Sequence, residues 1–162
     1  MKILWFIALF IGGTCAAVVV AGQMGFLRGQ VPADLGVRDN RLKPPSGTPN
    51  SVSSQADLYP DHPQRDYARI APLQFTGDAD TAMARLAGIL KNADRTVVVS
   101  QTADYIYAQS STPTLRFTDD LEFWLDRSAR VIHVRSASRL GRKDFRVNRK
   151  RVEAIRAQFA KN

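Results

Sequence analysis

Leu121-Glu122-Phe123-Trp124-Leu125-Asp126, then Arg127-Ser128-Ala129-Arg130, then Val131-Ile132-His133-Val134-Arg135 is the stretch on which the fold turns. Leu121, Phe123 and Leu125 alternate with Glu122, Trp124 and Asp126, and Ile132 and Val134 alternate with His133 and Arg135. Period-two alternation on both sides of a four-residue polar break predicts an antiparallel hairpin with one apolar face. For the apolar residues to share that face, Phe123 must sit beside Val134 or Ile132, because a slip of one residue turns every side chain over. Arg135 then lies opposite Glu122 or Asp120, a cross-strand pair worth roughly 0.2–1 kcal/mol at a surface.

Upstream lies a second pair of β-rich runs. Thr96-Val97-Val98-Val99 and Tyr105-Ile106-Tyr107-Ala108 flank Gln101-Thr102-Ala103-Asp104, which has the composition of a tight turn. Before them, Met83, Leu86, Ala87 and Leu90 fall at helical spacing behind Asp78 or Asp80 as cap. After the hairpin, Val152, Ile155 and Phe159 mark a helix over about Phe145–Ala160, with Asp144 as its expected N-cap. Ile70, Pro72, Leu73 and Phe75 read as a short arm weakened by proline, and patterning of any kind resumes only near Tyr67. The order is arm, helix, four strands, helix. It predicts an α+β domain: a four-stranded antiparallel sheet, with room for an extra N-terminal edge arm, covered on one face by two helices.

The ends carry different messages. Ile3 to Gly22 is twenty residues without a charge, and the first charge after Lys2 is Arg28. As a helix, twenty residues rise about 30 Å, the thickness of a bilayer core. Two readings fit: an uncleaved anchor through residues 3–22, or a cleaved secretory signal ending near Val19-Val20-Ala21. The length of the run favours the anchor. Cys15 lies inside it, where a cysteine serves as a small packing residue. Arg28, Arg38, Arg41 and Lys43 beyond the span lean towards a cytoplasmic domain, whereas the signal-like start leans towards export. Taken together they place the chain in a bacterial inner membrane with the domain in the periplasm, and secretion as the alternative. Residues 1–22 are thus an anchor or signal segment, 23–48 an extended tether rich in Pro and Gly, and 49–162 the domain.

Charge is concentrated at the other end. Residues 127–162 hold twelve Lys and Arg against two acidic residues, while the whole 162-residue chain has a net charge of +8. Such a field suits an anionic partner: a small molecule, a lipid head group or an acidic protein. Nucleic acid is disfavoured, because the basic helix offers only Phe145 and Phe159 for stacking and export would separate the chain from it.

Arg135-Ser136-Ala137-Ser138-Arg139-Leu140-Gly141-Arg142-Lys143-Asp144, with Asn148 and Arg151-Val152-Glu153, resembles the signature of the domain of unknown function 1499 family. Phe117-Thr118-Asp119-Asp120 resembles its second motif, and Pro49-Asn50-Ser51-Val52-Ser53-Ser54 its first. The resemblance runs from about Pro44 to Phe159. It implies an α+β domain in a bacterial or plastid setting and leaves the biochemistry open. Many relatives carry Cys where this chain has Ser51, so thiol or metal chemistry at that position does not apply here.

The tail motif supports two physical readings. Arg135, Ser136, Ser138, Arg139, Arg142, Lys143, Asn148 and Arg151, gathered near a helix N-terminus, have the donors to hold a phosphate, sulfate or carboxylate. Alternatively Asp119, Asp120 and Glu122 take up the arginines as structural ion pairs, with Asp144 starting the helix. Catalytic readings are weaker. Ser136 and Ser138 lack an evident base, His62 lies in a loop, and His133 is expected to stack on Trp124. Asp119 and Asp120, being adjacent on a strand, point to opposite faces and cannot form a dyad. No metal-ligand spacing or Gly-rich phosphate loop occurs, so no cofactor is expected. The sequence therefore points to a binding or scaffolding module without an enzymatic activity, with a small hydrolase or transferase using the Arg/Asp cluster as the alternative.

Overall fold

Alternation along the central hairpin sets the architecture, which a computed structural model describes for residues 1–161. The elements in chain order are α1 (Lys2–Gln23), β1 (Ser51–Ser53), a 3₁₀ turn (Ala56–Leu58), α2 (Arg65–Ala68), β2 (Leu73–Gln74), α3 (Ala79–Asn92), β3 (Thr96–Gln101), β4 (Tyr105–Ser111), β5 (Thr118–Asp126), β6 (Val131–Ser138) and α4 (Val147–Phe159). β5 and β6 pair antiparallel with Phe123 opposite Val134 and Glu122 opposite Arg135, one of the two registers that a shared apolar face allows. Asp126 fixes the turn between them: its Oδ1 accepts from the amides of Ser128 and Ala129, both at 2.9 Å.

The sheet has six strands, not four. Along the path β1-β6-β5-β4-β3, the outer side of β6 carries two short strands end to end, β1 against Arg135–Ala137 and β2 against Val131 and Ile132. The expected arm is β2. β1 went unread because three residues, Ser-Val-Ser, are too few to display a period. Its Val52 is nonetheless fully buried, so the core begins well before Tyr67. At the opposite edge β3 pairs only with β4, with Val97 and Val99 exposed and a bulge between Val98 and Ser100.

The two faces of the sheet differ in chemistry. Ile106, Leu121, Phe123, Leu125, Ile132 and Val134 share one apolar core with Met83, Leu86 and Leu90 of α3 and with Val152, Ile155 and Phe159 of α4. Asp78 caps α3 by accepting from the Thr81 amide at 2.7 Å. The other face presents Tyr105, Tyr107, Asp120, Glu122, His133 and Arg135, and Glu122 and Asp120 there are almost wholly buried. Residues 29–48 lie against it. The Gly36 amide donates to Glu122 Oε1 at 2.7 Å, and the Pro44 carbonyl accepts from Arg135 Nε at 3.2 Å. The Leu42 side chain is 1% exposed, and its amide donates to Gln55 Oε1.

α1 is exposed from Lys2 to Val18 and contains no charge after Lys2, and its length and hydropathy suit either a membrane span or a signal peptide. Its C-terminal end meets the β4–β5 loop. The Gln23 amide nitrogen donates to the carbonyls of Pro113 and Thr114, and Gly22 lies so close to Leu115 that a Cβ would come within 2.6 Å of the Leu115 carbonyl oxygen.

A side chain on a free tether contributes nothing to unfolding free energy. Leu42→Ala in a chain lacking residues 1–22 is expected instead to lose about 2–5 kcal/mol in urea unfolding, the cost of a truncated core leucine.

Candidate functional site

In the signature, neighbouring residues part company. Strand geometry sends Arg135 to one face of the sheet and Ser136 to the other. Beneath residues 29–48, Glu122 and Arg135 meet across β5 and β6 with 0% and 4% of their side chains exposed. Glu122 Oε2 accepts from Arg135 Nη1 at 3.3 Å, and its Oε1 accepts from Tyr105 Oη at 2.9 Å and from the Gly36 amide. Burial, then the adjacent carboxylate, push the Tyr105 phenol far above its ordinary pKa, so it remains a donor. Burial lowers the Arg135 pKa, yet a guanidinium stays charged in a protein.

One pair further along, Asp120 accepts from Arg139 through both carboxylate oxygens, at 2.7–3.1 Å. Tyr107 donates to Asp120 Oδ1 at 2.6 Å, and Arg139 Nη2 reaches back to the same hydroxyl at 3.1 Å. The forked guanidinium thereby meets a carboxylate bidentately, the strongest form of such a pair.

On the apolar side of the sheet, Asn148 is the hub. Its Nδ2 lies 3.0 Å from the Asn50 carbonyl, Ser138 Oγ and Asp144 Oδ2, and its Oδ1 accepts from Ser136 Oγ at 2.5 Å and Arg151 Nη1 at 3.0 Å. Arg151 Nη2 donates to Asp119 Oδ2 at 2.7 Å. Asp144 accepts from the amides of Arg146 and Asn148 at 3.0 Å and from the Tyr67 hydroxyl. Burial raises the Asp144 pKa, but the bonds from Tyr67, Asn148 and Arg146 outweigh it and leave the carboxyl below its ordinary value. Asp144 is not the N-cap expected of it. That position is Arg146, in a left-handed conformation, and the helix begins at Val147; Asp144 serves the same amides from two residues upstream.

Arg142 and Lys143 complete the set in an exposed loop, where the Lys143 ammonium lies 5.9 Å from the centre of the Phe145 ring. Beside them Phe117, Leu140, Phe145 and Val147 line an apolar cavity of about 340 Å³. The eight candidate anion ligands therefore occupy three places, divided by the sheet. Asp119 and Asp120 face apart, each with its own arginine.

His133 stacks on Trp124 with ring centres 5.3 Å apart and planes at 17°. The Ser54 hydroxyl lies 3.1 Å from His133 Nδ1, and Asp126 Oδ2 lies 4.0 Å from Nε2. Ser54 Oγ also accepts the Val134 amide, which ties it to the strand. Burial lowers the His133 pKa and Asp126 partly opposes this. The residues that sequence reasoning missed are Tyr105, Tyr107, Asn50, Gly36 and Pro44. For the tyrosines a signal existed: they alternate with Ile106 and Ala108 and so fall on the face of Asp120 and Glu122.

Removing one partner of a buried ion pair strands the other charge. Arg135→Ala and Arg139→Ala are each expected to cost about 3–5 kcal/mol in urea unfolding, whereas Arg142→Ala/Lys143→Ala leaves the midpoint unchanged. For His133 the folded pKa lies below the ordinary 6.5. Between those values the unfolded chain binds the extra proton, so stability falls as pH drops below about 6.5. Unfolding free energies at pH 7.5 and 5.5 will show a larger loss for the wild type than for His133→Phe.

Comparison with known proteins gives one match of the chain as a family. No curated protein and no solved structure matches it. The family model described as "Protein of unknown function (DUF1499)" matches residues 41–159, which take in both sheet faces, the three arginine–carboxylate pairs and the Asn148 hub. The chain belongs to the DUF1499 family of proteins of unknown function.

Proposed function

We propose that this chain is a membrane-tethered module of the bacterial envelope, held by residues 3–22, whose domain binds or scaffolds and has no enzymatic activity. The observation that carries this reading is the closure of the signature. Arg135, Arg139 and Arg151 are each within 3.3 Å of a separate carboxylate, with at most 16% of any of these side chains exposed. A catalytic or anion-binding arginine needs an unneutralised charge open to its substrate, and each of these is paired with its own carboxylate, Glu122, Asp120 or Asp119, and nearly buried. The signature acts as a lock that fastens α4, β5, β6 and the segment before β1 together. Its exposed remainder, Arg142 and Lys143, is the part able to meet an anionic small molecule, head group or protein.

α1 supports tethering, since it is apolar throughout and 22 residues span about 33 Å at 1.5 Å per residue. The signal-like start supports a periplasmic domain. Intact-mass analysis of chain recovered from bacterial membranes, with protease treatment of spheroplasts, tests both points. The expected result is a chain that retains residues 1–22 and is digested from outside. A mature chain beginning just after Ala21, or a protected domain, overturns the reading.

A further inference from the structure

The lock leaves a second group of arginines unaccounted for. Arg28, Arg95 and Arg116 come from three distant parts of the chain and line one cleft of about 290 Å³, together with Thr96, Ser111 and Thr112. Among the described residues no carboxylate lines it. All three arginines are exposed. Arg116 Nε donates to Gln23 Oε1 at 3.0 Å, and Arg95 Nη1 is 3.8 Å from Asp94 Oδ2, a carboxylate that is itself largely exposed. The contrast with the signature is plain: those arginines are buried and paired, these converge on an open space lined by hydroxyls.

Position supplies the ligand. Gln23 is the last residue of α1, and it bonds both to Arg116 and to the carbonyls of Pro113 and Thr114 on the loop that closes the cleft. Arg28 follows five residues later, its amide donating to the Gly25 carbonyl. Met24 and Phe26, just past the helix, are exposed. If α1 spans the bilayer, its end fixes the cleft at the depth of the head groups. Guanidinium groups match phosphate oxygens with paired donors, and a volume at the low end of ligand sites, about 300–1,000 Å³, suits a head group.

We propose that the Arg28/Arg95/Arg116 cleft binds the phosphate of an anionic phospholipid head group at the membrane surface. The proposal rests on the reading of residues 3–22 as a retained span. The cleft gives the tether a second point of attachment, so the domain is seated on the membrane in one orientation.

The test uses the full chain in neutral detergent, titrated calorimetrically with dioctanoyl phosphatidylglycerol, dioctanoyl phosphatidylcholine and inorganic phosphate. The variant Arg28→Gln/Arg95→Gln leaves the Arg116–Gln23 contact in place, and its thermal midpoint is checked against the wild type. Expected is binding of phosphatidylglycerol that the variant weakens at least about tenfold, the worth of two interfacial cations. Phosphatidylcholine and phosphate are expected to bind at least as weakly as phosphatidylglycerol binds the variant, and Arg142→Ala/Lys143→Ala to bind as the wild type. Equal binding by the wild type and the folded cleft variant overturns the proposal, as does loss confined to Arg142→Ala/Lys143→Ala. Phosphate binding as tightly as the lipid overturns the lipid as source. These results differ from failure of the tether, which shows itself as a mature chain lacking residues 1–22.

Discussion

Glu122 has no exposed surface, and its charge therefore has to be satisfied from within. That requirement organises one whole side of the molecule. A carboxylate placed in the middle of a sheet costs several kcal/mol unless every lone pair finds a donor. β6 can supply Arg135, and β4 can supply Tyr105, but the set is completed by the Gly36 amide from far upstream. The segment that brings Gly36 also brings the Pro44 carbonyl to the arginine. Cover and charge thus depend on each other: without the segment the pair is wet, and without the pair the segment loses the partners of its Gly36 amide and Pro44 carbonyl.

This explains which parts of the fold were legible. The hairpin, its register, the Glu122–Arg135 pairing and the stacking of His133 on Trp124 all follow from period two, and all are observed. α3 and α4 also announce themselves through the spacing of their apolar residues. The docking of residues 29–48 leaves no such trace, because apart from the single buried Leu42 it is made largely by backbone groups such as the Gly36 amide and the Pro44 carbonyl, whose role is independent of side-chain identity. β1 is hidden for a related reason, since a three-residue strand repeats nothing.

The candidate site was legible as a set of residues and misleading as a place. Arg135, Ser136, Ser138 and Arg139 look like one cluster when read along the chain, yet the pleat sends the arginines and serines to opposite faces. The carboxylates identified as alternative partners are the ones that take the arginines: Asp119, Asp120 and Glu122 serve Arg151, Arg139 and Arg135 in turn. Asn148 joins Ser136, Ser138 and Asp144 in a network on the helix side, where a single amide bridges the tail motif to the Asn50 carbonyl of the first motif. Motifs separated by nearly a hundred residues are thus parts of one hydrogen-bonded joint.

The two margins of the sheet have a shared property. One is capped by a pair of short strands with a gap between them, and the other, β3, changes register at the bulge after Val98. A second molecule laid along β3 would lose step with its ladder beyond that point, and one approaching β6 would find its hydrogen-bonding groups already taken. For a chain held in a bilayer, as proposed, copies confined to one plane would meet edge-on. Interrupted margins of this kind keep neighbouring copies from knitting into ribbons, even though Val97 and Val99 stand exposed where such growth would start.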